Sequence, residues 1–106
     1  MINKSEINML LEEKKYNKAF DVLYNYYTEL MKKLIEKNEI EHEEDDMLID
    51  YIRLVEKNLE KYKVPIQIIS ASFFDENMEV EYKVESLIDE LNFWEDVVRG
   101  KLEEQM

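Results

Sequence analysis

Phe20, Leu23, Tyr24, Tyr27, Leu30, Met31, Leu34 and Ile35 recur at steps of one and three, the spacing that lays apolar side chains along one face of a single long helix. Asn17 is the expected cap, and Lys32, Lys33 and Lys37 sit near the C-terminal end, where cations complement the helix dipole. A helix of about 20 residues spans roughly 30 Å, so the remaining elements must pack around it. Val22 and Tyr26 widen its apolar face beyond that of a simple surface helix.

The rest of the chain reads as helix as well, with one ambiguous stretch. Ser5 caps a short helix over about residues 5–14, in which Ile7, Met9, Leu10 and Leu11 form one apolar side. Residues 39–46 carry six acids in eight positions and read as a connector, with Asp45 or Asp46 capping a third helix over about 46–62. Its repeat of Leu48, Tyr51, Ile52, Val55, Leu59 and Tyr62 stops before Pro65. Between 64 and 84 two periods fit. Ile66-Gln67-Ile68 and Met78 to Val84 alternate apolar with polar, and Asp75-Glu76-Asn77 suits the turn of a short β-hairpin. Val80, Val84, Leu87, Leu91, Trp94 and Val98 keep helical spacing through the same stretch, which predicts a helix over about 76–99. Ser86 with Asp89 or Glu90 also fits a capping box, which would start that helix late and leave the alternation as strand. Pro65 at a first helical position makes 65–72 a short helix, with a loop as the alternative. The expected fold is all-α, an up-and-down bundle of four to five helices in a single domain over residues 1–106, with the hairpin at about 64–84 left open.

Composition narrows function by exclusion. The formal charge of -12 opposes nucleic acid and anionic membranes, which are bound through basic footprints, and favours cationic partners. The acidity is uneven: residues 75–106 hold 11 acids against Lys83, Arg99 and Lys101, whereas residues 1–74 hold 15 acids against 11 bases. No apolar run approaches the ~18 residues of a membrane span, and the N-terminal residues lack the hydrophobic segment of a signal peptide, so a cytoplasmic location is expected. The absence of cysteine removes disulfides, thiolate metal sites and thiol nucleophiles. No cofactor is expected.

Few residues are left from which chemistry could be built. Glu39 and His42 have the Glu-x-x-His spacing of carboxylate-bridged metal centres. A di-iron site needs a second such pair, which only a symmetric dimer supplies, and the zincin pattern needs a histidine where Asp46 stands. The glycine that turns an EF-hand loop is missing from this acidic segment. A serine or threonine nucleophile would have to be Ser5, Ser70, Ser72, Ser86 or Thr28 with His42 as base, and none lies in a nucleophile elbow or phosphate loop. On a continuous last helix Glu81, Glu85, Asp89 and Asp96 form a carboxylate stripe whose mutual repulsion suits a cationic partner. Most aromatic residues must fill the core, and Tyr26, off the main stripe, is the best candidate for an exposed anchor.

The segment from Lys15 through Tyr27, followed by Leu30-Met-Lys-Lys-Leu-Ile, resembles the long helix of HEPN-type bacterial helical bundles, over about residues 5–62. HEPN ribonucleases carry an arginine followed by four to six residues and a histidine; here Arg53 and Arg99 precede no histidine, and His42 comes before both. The resemblance therefore implies an up-and-down bundle that dimerises and pairs with another protein, without ribonuclease activity. Three readings follow. The first is a non-enzymatic acidic interaction module that is a homodimer. The second is an acidic inhibitor of a basic partner, of the immunity-protein, antitoxin or nucleic-acid-mimic kind. The third is a metal-dependent enzyme assembled around Glu39 and His42 in a dimer. The partner-binding residues expected for the first two are Glu81, Glu85, Asp89, Asp96 and Tyr26.

Overall fold

The long stripe folds as its spacing requires. In the computed structural model, which describes residues 4–100, helix α2 runs Tyr16–Lys37 and buries Ala19, Leu23, Tyr27, Leu30, Met31, Leu34 and Ile35. Around it lie α1 (Lys4–Glu12), α3 (Leu48–Asn58), α4 (Lys63–Phe74), α5 (Val80–Asp89) and α6 (Leu91–Arg99), with a single 3-10 turn, Glu60–Tyr62, leading into α4. Helix α2 packs against α3, α3 against α4, α4 against α5, and α5 back against α2, while α1 and α6 also lie on α2. This closed ring surrounds Leu23, Tyr27, Met31, Leu48, Val55, Ile66, Ile69, Val84, Leu87 and Trp94, all fully buried. Among the described residues there is no strand, and no helix is long and apolar enough to cross a membrane.

Two helix ends explain how the chain turns without glycine. After α2, the Glu39 amide donates to the Glu36 carbonyl and the Ile40 amide to the Ile35 carbonyl, each at 3.1 Å. After α1, the Lys14 amide reaches the Leu11 carbonyl and the Lys15 amide the Leu10 carbonyl. Both are Schellman closures, which satisfy carbonyls left over at a helix end and place one residue in the left-handed region. That residue is Lys14 at φ 58° and Glu39 at φ 57°. Gly100 takes the same conformation after α6, at φ 75°.

The β-hairpin considered for 64–84 is overturned, since its first arm lies in α4 and its second is helical from Val80. Residues 75–79 do turn, with the Asp75 carboxylate accepting from the Asn77 amide at 2.9 Å, but the turn joins α4 to α5. Alternation would have placed Met78, Val80, Tyr82 and Val84 on one side. Instead Val84 and Leu87 enter the core and Tyr82 is 60% exposed, because the face of α2 rewards burial at the 3.6-residue period. Pro65 is the third residue of α4, not its first, and its missing N–H is one that a first helical turn leaves without a partner anyway.

The single helix expected over 76–99 starts later and bends. Glu79 precedes α5, and Glu90 separates α5 from α6. The backbone ladder nevertheless runs through, with the Glu90 amide on the Ser86 carbonyl and the Trp94 amide on the Glu90 carbonyl. Ser86 lies within α5 and does not cap it; its hydroxyl is 2.7 Å from that of Ser72 on α4. Since Ser72 gives its hydrogen to the Ile68 carbonyl, Ser86 is the donor between them.

Other expected boundaries move by a residue or more. Helix α3 ends at Asn58 rather than 62 and is preceded by Met47, whose amide donates to the Asp50 carboxylate at 2.9 Å. Asp46 instead accepts from the Glu43 amide. Asn17 and Ser5 sit inside α2 and α1.

Candidate functional site

Helix α4 is the least polar element on the surface. From Val64 to Phe74 it carries no charged residue, the longest such stretch in the chain. Its inner side, Ile66, Ile69 and Phe73, is buried, with the Phe73 ring set edge-on to Phe20, Tyr24 and Tyr27 of α2 at 5.5–5.6 Å. Its outer side is uncharged and largely apolar: Val64 is 69% exposed, Ile68 42% and Phe74 40%, with Ala71 and the polar Gln67 exposed among them. Val64, Ile68 and Ala71 follow steps of four and three and so share one face. Tyr82 is exposed just beyond the turn that follows. Residue patterning alone misses this surface, because the stretch fits loop, strand or short helix and only a helix defines an outer face. The signal was available in the eleven uncharged positions of a chain in which 38% of residues are charged.

The acidic stripe is present in part. Glu81, Glu85 and Asp89 are exposed at successive turns of α5. Asp96 lies on α6 past the bend at Glu90 and is half-buried. The stripe reaches the start of α2: burial, and then the negative charge of Glu81 and Glu85, hold the Tyr16 phenol above its usual pKa.

Tyr26 is half-buried rather than exposed, and its hydroxyl donates to Glu95 Oε2 at 2.8 Å. Glu95 is a residue that pattern reading passed over. It is only 5% exposed, and besides Tyr26 it faces Lys4 at 3.7 Å and Arg99 at 3.8 Å. Lys4 also donates to Asn92 at 2.7 Å. A buried carboxylate is tolerated when its charge and lone pairs are met in this way. The Glu95–Arg99 spacing of four was the legible hint. The group ties α1, α2 and α6 together and borders a cavity of about 140 Å³ lined by Tyr26, Leu30, Lys33, Glu95 and Arg99.

Glu39 and His42 do not form the face that a Glu-x-x-His site requires, because residues 38–47 lie between α2 and α3. Glu39 is exposed, whereas the His42 ring packs edge-on to Tyr51 at 5.7 Å, its Nδ1 is 3.1 Å from the Glu43 carbonyl and its Nε2 is 4.0 Å from Glu36. An open depression of about 620 Å³ beside it mixes Glu43, Asp46 and Asp50 with Arg53 and Lys57. Among the described residues no three acidic or histidine side chains converge as metal ligands. Three of the candidate hydroxyl groups are engaged: Thr28 donates to the Tyr24 carbonyl, Ser72 to that of Ile68, and Ser86 to Ser72.

No family model matches this chain, and no curated protein or solved structure does either.

Proposed function

We propose that this protein is a non-enzymatic, cytoplasmic interaction module, an up-and-down helical bundle that docks another protein chain through the outer face of α4. One observation carries the reading. On a chain of charge -12, Val64, Ile68, Ala71 and Phe74 expose an uncharged strip that is apolar apart from Gln67, and exposed apolar surface gathered on one face is characteristic of binding sites. The resemblance of residues 5–62 to HEPN-type bundles supports pairing with another protein, without bearing on α4, which lies outside those residues.

A second reading rests on a different surface. Glu81, Glu85 and Asp89, exposed along α5, suit an inhibitor that occludes a basic partner of the immunity or antitoxin kind, with Asp96 extending the stripe. The two readings differ in their response to salt, because screening weakens charge-steered association and spares apolar burial.

The deciding experiment retains binding partners from native lysate on three baits at low and high salt: wild type, Val64→Glu with Ile68→Glu, and Glu85→Lys with Asp89→Lys. Retention that survives high salt and charge reversal but is lost in the α4 variant is the expected result. Retention lost at high salt and on charge reversal, and kept by the α4 variant, would overturn it in favour of the acidic stripe.

A further inference from the structure

Helix α1 is the most lightly held of the helices. It and α6 are both nine residues long, yet α6 buries Leu91, Trp94, Glu95 and Val97, whereas α1 buries Ile7 alone. A cavity of about 160 Å³ lies between Ile7 and Asn8 on α1 and Ile88, Leu91 and Asn92 opposite, so part of its inner side has nothing to pack against. The turn that folds α1 back onto α2 is also costly. Lys14 is left-handed at φ 58°, and Lys15 takes the cap position of α2 without supplying a side-chain hydrogen bond. The amides of Tyr16, Asn17 and Lys18 therefore open a helix that offers them no carbonyl. Nothing in the sequence demands a break here. Residues 4–37 contain no glycine or proline, and Glu13, Lys14 and Lys15 are good helix formers. In a continuous helix the Lys14 and Lys15 amides, now on the Leu11 and Leu10 carbonyls, trade acceptors and lose neither bond. Tyr16, Asn17 and Lys18 gain the carbonyls of Glu12, Glu13 and Lys14. The Glu13–Lys15 ion pair, 2.7 Å long and half-exposed, is given up at little cost.

We propose that α1 exchanges between two copies of the chain: residues 4–37 straighten into one helix, and the α1 segment of each copy seats on the α2–α6 surface of the other. The contacts themselves fix the occupant, because this seat already holds an α1, with Ile7 in the core and the Lys4 ammonium 2.7 Å from Asn92 and 3.7 Å from Glu95. Straightening removes the choice of bundle. Leu23 follows Ile7 by sixteen residues, about 160° around a helix of 3.6 residues per turn. The apolar faces of the two segments then point to opposite sides, and α1 turns away from its own core. Exchange of an identical element is a low-cost route to a dimer, and a short strained hinge favours it. Each copy keeps the contacts of α1 and sheds one left-handed lysine. The inference stands apart from the docking role of α4, whose outer face takes no part in the exchange.

Sedimentation equilibrium of the full chain, with circular dichroism to verify folding, reads the hinge. Lys14→Gly relieves the closed turn and weakens the straight helix, so it is expected to weaken dimerisation about a hundredfold, roughly tenfold for each of two hinges. Lys14→Val, β-branched and ill-suited to a left-handed backbone, is expected to strengthen it by about tenfold or more. Two exposed positions of the α1 seat then identify exchange: Lys4→Glu and Asn92→Lys, made in separate chains. Either alone sets like charges together, the first against Glu95 and the second against Lys4, in the closed chain and in its homodimer. Mixed in equal amounts, the two match only by exchange. One seat regains Lys4 with Asn92 and Glu95, and the other sets the new glutamate beside the new lysine. Native mass spectrometry is expected to show the heterodimer well above its statistical share. A statistical mixture would overturn the proposal, because a dimer joined through any other surface leaves each α1 on its own bundle. Equal dimerisation of the two Lys14 variants would overturn it as well, as would wild type and Lys14→Val that both stay monomeric at about 1 mM.

Discussion

Lys14 and Glu39 hold left-handed backbone conformations, which cost a residue bearing a Cβ about 1–2 kcal/mol. Glycine removes that strain at the expense of a more flexible unfolded chain, so Glu39→Gly and Lys14→Gly are each expected to raise stability by about 0.5–1 kcal/mol, measured by urea unfolding. Gly100→Ala should do the opposite, lowering stability by about 1 kcal/mol. Its backbone is left-handed, and a Cβ would stand 2.8 Å from the Lys37 ammonium, which itself bonds the Val98 carbonyl. Two tyrosines carry the clearest buried polar chemistry. Tyr26→Phe strips Glu95 of its neutral donor and should cost about 1–3 kcal/mol. Tyr27 is fully buried with its hydroxyl on the Leu87 carbonyl; burial, and then the Glu90 charge, push its pKa well above the usual value. An unfolded tyrosine loses its proton near pH ~10, so above that pH the unfolded state binds fewer protons than the folded one and stability falls as pH rises. The thermal midpoint of the wild type should therefore decline between about pH 9 and pH 11 more steeply than that of Tyr27→Phe.

Helices α2 and α3 were legible because their apolar steps recur over several turns and α2 and the third-helix pattern lack internal breakers. Helix α4 was legible only as one reading among three, since an apolar run flanked by a proline satisfies strand, loop and helix alike until something decides which side is inside. The neighbouring faces of α3 and α5 decide it, by burying Ile66, Ile69 and Phe73. The alternation from Met78 to Val84 kept a hairpin open beside the expected helix for the same reason: a seven-residue pattern fits both periods, and tertiary burial of Val84 and Leu87 chose the helical one. Of the candidate site, the carboxylates of α5 were visible as residues four apart, whereas the Glu95 cluster joins residues distant in the chain and leaves only the Arg99 pair in local sequence. The link between α4 and α5 offers a test at this scale. Ser72→Ala deprives the Ser86 hydroxyl of its acceptor and should cost about 1 kcal/mol, while Ser72→Ala with Ser86→Ala should recover part of that loss, as a double-mutant cycle on thermal unfolding would measure.

The whole molecule carries its charge unevenly, with two thirds of the net negative charge in residues 75–106. Self-repulsion of this kind opposes the compact state and is screened by salt. Raising sodium chloride from about 10 mM to 200 mM shortens the screening length from ~30 Å to below 10 Å, and the thermal midpoint is expected to rise by several degrees; a fall would mean that ion pairs such as those of Glu95 outweigh the repulsion. The same experiments have a built-in optical readout. The chain contains one tryptophan, Trp94, buried against Tyr62 and Phe93 with its indole N–H unpartnered among the described residues. An indole so shielded emits at the blue end of its range, and water reaching the junction of α6 with the 3-10 turn would shift that emission to the red. The colour of a single residue thus tells a shift in charge screening that leaves the fold intact from one that opens the core.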